Sequence, residues 1–236
     1  MRNLRKMRFD LLTISPEYFS SVVADGIIKR GIRSGRIEVV IHDIRQYADD
    51  KHRTVDDTPY GGGPGMIMKP EPICKAVEDV EKLGSKRLVI LFTPRGERLT
   101  QGLVKRFATS YDQIIMICGR YEGIDERVSK LVADMEVSIG DYVLSAGEPA
   151  AAVTLDAVSR LIKGVLGNAD SKKDESFESG MLEYPQYTRP MVYKGLSVPA
   201  VLLTGNHNKI KEWRKKAAYT ITKDRRPDLI DKKESL

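Results

Sequence analysis

The sequence predicts an α/β protein, a parallel-sheet domain followed by a small, mostly helical C-terminal part. Three observations predict it. Short β-branched runs alternate with segments of helical apolar spacing through the first two-thirds of the chain, the pattern of strands covered on both faces. A polar, aperiodic stretch, residues 168–176 (NADSKKDES), then interrupts that pattern. The remainder of the chain is poor in strand-like runs and rich in Lys and Arg. The breaks in texture divide the chain into a first domain over 1–163, a linker over 164–176 and a second domain over 177–236.

Taken in order, residues 8–13 (RFDLLT) read as a buried strand. Ser15, Pro16 and Glu17 then open a helix, with Ser15 as N-cap and proline at the first helical position. Residues 36–42 (RIEVVIH), 87–92 (RLVILF) and 113–118 (QIIMIC) are further strands, and a third strand-end loop begins at Ser138. Residues 70–82, 100–108 and 148–162 carry the apolar spacing of helices. In the C-terminal part the best element runs from Ile210 to about Lys223, a basic helix with Pro227 beyond it.

Of 236 residues, 41% are hydrophobic and 31% charged, which excludes a largely disordered chain. The formal net charge is +6, and residues 205–236 alone hold ten Lys or Arg against five Asp or Glu. Such a local excess, including Lys215 and Lys216, suits a polyanion. Cys74 and Cys118 lie in apolar contexts far apart and read as reduced thiols. The N-terminal stretch MRNLRKM is basic but lacks the apolar run of a signal peptide, and no stretch reaches the 18 or so apolar residues of a membrane helix. The expected location is the cytoplasm, with no membrane partner.

Familiar signatures are missing: no phosphate loop, no HExxH, no GxSxG, and no GxGxxG after a strand. With three histidines a multi-histidine metal site is improbable. What the chain does have is glycine-bearing loops at successive strand ends: Thr93-Pro94-Arg95-Gly96, residues 119–127 (GRYEGIDER) and residues 138–148 (SIGDYVLSAGE). Ligands of open α/β sheets bind beyond the carboxyl ends of strands. Glycines there let the backbone approach a ligand, and Tyr121 or Tyr142 could flank a flat ring. Residues 49–66 form a long segment mixing Lys51, His52 and Arg53 with Asp56, Asp57 and three consecutive glycines. It reads either as a loop whose charges grip phosphates or as a solvated flexible loop.

Five stretches together carry a resemblance: 51–66 (KHRTVDDTPYGGGPGM), 118–127 (CGRYEGIDER), 138–144 (SIGDYVL), 164–167 (GVLG) and 187–190 (YTRP). In this order they resemble the bacterial tRNA (guanine-N1)-methyltransferase family of the knotted SPOUT superfamily, over about residues 7–228. The resemblance implies a trefoil knot in the first domain, which the pattern of elements does not predict. It further implies S-adenosylmethionine as cofactor, a Mg2+ dependence, and a homodimer whose subunits share the active site. The implied substrate is a tRNA, methylated at ring nitrogen one of the guanine 3′ of the anticodon. The first domain would then bind the cofactor and the second the tRNA.

Position by position, the resemblance implies a cofactor pocket of Thr93, Pro94, Gly119, Arg120, Tyr121, Glu122, Gly123, Ser138, Ile139, Gly140, Tyr142, Leu144, Ala146 and Gly147. Glu122 matches the carboxylate of the magnesium effect, Arg160 the arginine near the target guanine, and His52, Arg53 and Asp56 the loop that reaches RNA. Two stretches depart from the family pattern. Where the family commonly has Gly-Gly-Glu-Leu-Pro, this chain has Ala146-Gly147-Glu148-Pro149-Ala150, a change expected to reshape the adenosine side of the pocket. Where the family has Asp-Ser-Phe, this chain has Asp174-Glu175-Ser176-Phe177. Glu175 takes the base slot and is favoured; Asp174, one residue earlier, is the alternative. Guanine nitrogen one carries a proton, so a carboxylate within reach has a task. The competing readings are an RNA-binding module without catalysis, a methyltransferase of ribosomal RNA or of ribose, and a dinucleotide-dependent oxidoreductase.

Overall fold

A computed structural model describes residues 6–166 and 175–230, in two compact units, Met1–Gly167 and Asn168–Leu236. In the first, β1 (Met7–Thr13) is followed by a 3-10 turn at Pro16–Tyr18, α1 (Phe19–Ala24), α2 (Gly26–Arg33) and β2 (Ile37–Asp43). After a second 3-10 turn come β3 (Asp56–Asp57), β4 (Ile67–Met68), α3 (Pro70–Asp79), β5 (Arg87–Arg98) and α4 (Gln101–Ser110). The unit ends with β6 (Gln113–Ile117), α5 (Glu126–Leu131), β7 (Met135–Ser138) and α6 (Glu148–Ser159). The five long strands form one sheet in the order β2-β1-β6-β5-β7, every neighbouring pair parallel.

Period-two alternation along these strands divides the core between the two faces of the sheet. Phe9 and Leu11, Ile90, and Ile114 and Met116 face α1, α2, α4 and α6, packing with Phe19, Phe107 and Leu155. Leu12, Val89 and Leu91, and Ile115 and Ile117 face α3 and α5, packing with Ile73, Val77 and Val128. Val165 is fully buried in the first of these cores, so the first unit continues past the expected linker start at 164.

Several local expectations change. The Ser15 side chain caps nothing, and the proline there opens a single 3-10 turn, with the helix proper divided at Asp25 into α1 and α2. Strand β5 does not stop at Phe92; it runs to Arg98, its register against β7 shifting between Phe92 and Glu97. Thr93–Gly96 is therefore a bulge inside a strand rather than a loop after one. The long segment at 49–66 contains β3, which pairs antiparallel with β4. Helix α4 starts where expected because Thr100 accepts a hydrogen bond from the Leu103 amide, 3.3 Å.

In the second unit, β8 (Val192–Tyr193) and β9 (Leu196–Ser197) make a short hairpin, a 3-10 turn spans Ala200–Leu203, and α7 covers His207–Arg225. Asn206 caps α7 by accepting from the Lys209 amide, 3.1 Å. The helix buries Ala218 and Thr222, and the Thr222 hydroxyl receives the Leu182 amide at 2.9 Å. Among the described residues no helix is long and apolar enough to cross a membrane.

At the centre of β1 sits Asp10, fully buried. Its carboxylate accepts from Arg8 Nε (3.0 Å) and a second Arg8 nitrogen (2.9 Å), from Gln113 Nε2 (2.8 Å), and lies 2.8 Å from His42 Nε2. Burial pushes this carboxyl up, but the hydrogen bonds from His42, Arg8 and Gln113 outweigh it and hold it below the ordinary range. Stability from Asp10 is thus fully present above the unfolded value of 3.8 and is lost as pH falls through the lower folded one. Asp10→Asn removes the buried counter-charge of Arg8 and leaves it only the exposed Glu81 carboxylate at 3.2 Å, which should cost about 3–5 kcal/mol. Urea melts should show that loss at pH 7 and a smaller difference from the parent below about pH 3.5; equal stability at pH 7 would remove Asp10 from the fold's determinants.

Candidate active site

At the bulge of β5 and beyond the carboxyl ends of β6 and β7, three segments enclose a cleft of about 1140 Å³, lined also by residues around β3 and β4. The first is the β5 bulge, contributing Thr93 and Pro94. The second, residues 119–127, leaves β6. Tyr121 takes a left-handed φ of 60° there and Gly123 one of 136°. This segment is tied to the β4 region by the Glu122 amide to Met66 O (3.1 Å), the Met68 amide to Gly123 O (3.0 Å) and the Asp125 amide to Met68 O (3.0 Å). The third, residues 138–147, comes after β7. The Ser138 hydroxyl donates to Gly140 O at 3.1 Å, and Gly140 has a φ of 154° that side chains rarely adopt.

The second and third segments touch through backbone. The Gly147 amide donates to Gly119 O at 2.8 Å, and Ala146 bridges Arg120 antiparallel. A Cβ on Gly147 would lie 2.7 Å from the Gly119 nitrogen, so this crossing requires glycine. A Cβ on Gly140 would lie 2.4 Å from the Tyr142 ring. Beyond the crossing, α6 begins with Glu148, completely buried. Its Oε1 accepts from the Thr13 hydroxyl (2.6 Å) and from Arg120 Nε (3.2 Å), whereas Oε2 has no partner among the described residues. Burial first, and the Glu148 carboxylate second, push the neighbouring Cys118 thiol well up, so it is inert. Cys74 and Cys118 are both free thiols.

All of the expected cofactor residues, from Thr93 through Gly147, line this one cleft. The others are placed elsewhere. Lys51, His52 and Arg53 are exposed on a turn that Asp50 holds by accepting from the Thr54 amide (2.8 Å), the Thr54 hydroxyl (2.9 Å) and the His52 amide (2.9 Å). Asp56 is half-buried opposite Met68 in the small hairpin; its neighbours Asp57 to Tyr60 reach the cleft instead. Arg160, half-buried, is the C-terminal cap of α6 and not part of the lining. In the second unit Glu175 is half-buried, with its carbonyl accepting from the Glu178 amide, 3.2 Å; Asp174 lies outside the described residues. Lys215 and Lys216 are exposed on α7.

Thr13, Glu148 and the charged rim were missed by sequence reasoning. Asp125 caps α5 and binds Arg127 through two nitrogens at 2.8 and 2.7 Å, which hold its carboxyl low. Arg95 pairs with Glu126 at 2.8 Å and lowers that carboxyl likewise. The α5 signal was present as Asp125 before Glu126, an acidic cap with an acidic first turn. For Glu148 none existed, because a Glu at a helix start is ordinarily a solvated one.

The cleft suits a flat ring on a flexible polar chain. Leu91, Phe92, Ile139 and Ala150 supply apolar wall, and Tyr121, Tyr142 and Leu144 at its mouth are 49%, 54% and 40% exposed, apolar surface open to cover. Glycine-bearing backbone supplies hydrogen-bonding edges. For a metal the fit is sparse: among the described residues no three His, Cys, Asp or Glu gather, and the Glu122 carboxylate packs against Gly65.

Comparison with known proteins places this geometry. The profile of the family described as tRNA (Guanine-1)-methyltransferase TrmD matches residues 7–232. A protein of Geobacter sulfurreducens named tRNA (guanine-N(1)-)-methyltransferase is 50% identical over 228 residues, 97% of this chain and 93% of its own. Proteins of the same name are 52% identical in Thermomicrobium roseum (95% of this chain, 83% of theirs) and 51% identical in Moorella thermoacetica (95% and 90%). With a match that spans both units and half of all positions shared over nearly the whole length, the chain belongs to the tRNA (Guanine-1)-methyltransferase TrmD family.

Proposed function

We propose that this protein methylates ring nitrogen one of the guanine 3′ of the anticodon in tRNA. The observation that carries the reading is the cleft walled by glycine-bearing segments from β5, β6 and β7, in a chain of this family. Family membership brings S-adenosylmethionine, whose sulfonium supplies a methyl already activated for transfer. The residues of the chain therefore bind, orient and move one proton. The bulge at Thr93–Pro94 and the 138–147 segment form the walls for the adenosine side. Tyr121 and Tyr142 cover a ring. Glu175 takes the proton from guanine nitrogen one, and Arg160 balances the charge that grows on the guanine oxygen as that proton leaves. The support for Glu175 is its place directly before Ser176-Phe177, a pair that is pinned: Ser176 Oγ accepts the Glu183 amide at 2.9 Å and the Phe177 amide donates to Met181 O at 2.7 Å. Asp174 remains the alternative base.

The finer architecture belongs to the same proposal: a trefoil knot in the first domain, a linker that begins beyond Val165 rather than at 164 and runs to 176, a tRNA-binding second domain (177–236), and a cytoplasmic homodimer whose active site draws on both subunits. His52, Arg53 and Asp56 on the 49–66 segment, and Lys215 and Lys216 on α7, are its contacts to RNA. Glu122 is the proposed magnesium-linked carboxylate. As a lone protein carboxylate it would leave a hydrated cation most of its waters, and no step here runs through it.

Three measurements test the reading. Gly140→Val, strained by its φ of 154° and by the Tyr142 ring, should weaken S-adenosylhomocysteine binding at least about tenfold by calorimetry with little change in melting; unchanged affinity would remove the 138–147 segment from the pocket. Neutralising Lys215 and Lys216 together should flatten the dependence of log K for tRNA on log salt by about 1–2; a parental slope would leave α7 a solvated basic face. Glu175→Gln should slow single-turnover methylation by about 10²–10⁴ with cofactor binding little changed. Asp174→Asn should cost far less, and the reverse order would move the base to Asp174. Full activity in both variants would mean that neither carboxylate takes the proton.

A further inference from the structure

Glu148 is a buried acid that the proposed reaction leaves without a task. It is 0% exposed, at the first turn of α6, between two cleft-lining residues, Gly147 and Ala150. A carboxylate has about four acceptor sites. Here Oε1 takes both available donors, the Thr13 hydroxyl and Arg120 Nε, and Oε2 takes none among the described residues. Burying an acceptor without a donor is costly, and a fully buried acid of this kind calls for a role beyond packing. The role is visible at its partner. Arg120 lines the cleft with its side chain 29% exposed, and Glu148 is the one ion-pair partner it has among the described residues. Because the bond to Glu148 uses Nε, the two terminal nitrogens are left open, a planar fork of donors at the cleft wall.

We propose that Glu148 is a positioning residue: held by Thr13 at the end of β1, it fixes the Arg120 guanidinium so that its terminal N–H groups meet an oxygen of a bound ligand. The inference rests on the methyl-transfer reading of the cleft. The ligand oxygen is an anionic or carbonyl acceptor, either the carboxylate of the methyl donor or an oxygen of the RNA. The anchoring is specific in kind. Thr13 and Arg120 lie on separate segments, at the end of β1 and after β6, and α6 supplies the acceptor they share. A change at Glu148 therefore releases the arginine without touching any other wall residue.

A double-mutant cycle decides it. Glu148→Leu keeps volume and removes the acceptor, and Glu148→Gln restores an oxygen in the same place. In the otherwise native chain, Glu148→Leu should weaken S-adenosylhomocysteine binding, or raise KM for tRNA or lower kcat, by about 10–100-fold. Glu148→Gln should recover part of that loss. In an Arg120→Ala background the same Glu148→Leu change should cost less than about threefold, because the group it positions is already gone. A loss in cofactor affinity assigns the fork to the donor's carboxylate, and a loss confined to tRNA KM or kcat assigns it to the RNA. Equal losses in both backgrounds, or no loss in the native one, would overturn the proposal and leave Glu148 structural. Should Glu148→Leu fail to fold, Thr13→Val and Glu148→Gln run the same cycle. Solvent exchange of the Arg120 Nε proton in the ligand-free chain, slow in the parent and fast in Glu148→Leu, reads the ion pair with no ligand present. A parent that binds no S-adenosylhomocysteine would thus sink the methyl-transfer reading, and fast exchange in the parent would sink the positioning.

Discussion

Gly147 passes so close to the chain leaving β6 that only a hydrogen fits between them, its amide on Gly119 O and its α-carbon against the Cys118–Gly119 backbone. Most of the site depends on that approach. On one side of it the 119–123 segment carries Arg120, Tyr121 and Glu122; on the other the 138–147 segment carries Gly140, Tyr142 and Leu144. Cys118 in turn donates its amide to Leu12 O at 2.9 Å, so the crossing is referred to β1, the interior strand next to β6. Because both walls of the cleft share this contact, any residue with a side chain at 147 would part them together. Loops that cross beyond a sheet must still satisfy their backbone groups, and here they satisfy one another.

The first unit buries charge at two places in its sheet, with opposite outcomes. At the centre of β1, Asp10 has every nearby donor it needs: Arg8, Gln113 and His42 together outweigh its burial. Such a network ties β1, β2 and β6 in one register. Toward the carboxyl ends, Glu148 is equally buried but holds two donors on one oxygen and, among the described residues, none on the other. A complete network rigidifies; an incomplete one keeps an energetic cost that a fold bears where it serves a ligand. Carboxyl ends are where parallel sheets bind ligands, and the asymmetry conforms to that rule.

The sheet was legible because its strands are buried on both faces, which leaves unbroken β-branched runs such as residues 113–117. The helices were legible through their apolar spacing, as at 70–82 and 100–108; the cap read at Ser15 does not form, and α7 begins at His207, three residues before the expected Ile210, because Asn206 caps it there. What escaped were features set by tertiary contact. Nothing local says that β5 continues through Pro94 and Gly96 to Arg98; the β7 strand beside it draws it on after a bulge, and Gly96 fits because a Cβ would lie 2.3 Å from the Val137 nitrogen. The 49–66 segment reads as a loop by composition, yet Asp56 and Asp57 find partners in Met68 and Ile67. The wall residues were legible through their glycines and their resemblance to a family. Thr13 and Glu148 were not, since their meeting across 135 positions is a product of the fold.

The stretch 146–150 shows which side chains the crossing admits. Ala146 and Pro149 flank the two residues that tie the segments together. Ala146 is absent from the left-handed region that would exclude a Cβ, and its bridge to Arg120 is made by backbone. Pro149 falls within the first turn of α6, where the amide it lacks would have had no partner inside the helix. Between them, the approach at Gly147 admits no Cβ, because one would strike the Gly119 nitrogen, and the Glu148 carboxylate ties Thr13 to Arg120. A backbone that accepts an alanine before this pair and a proline after it thus keeps both ties, and with them the contact between the two walls of the cleft.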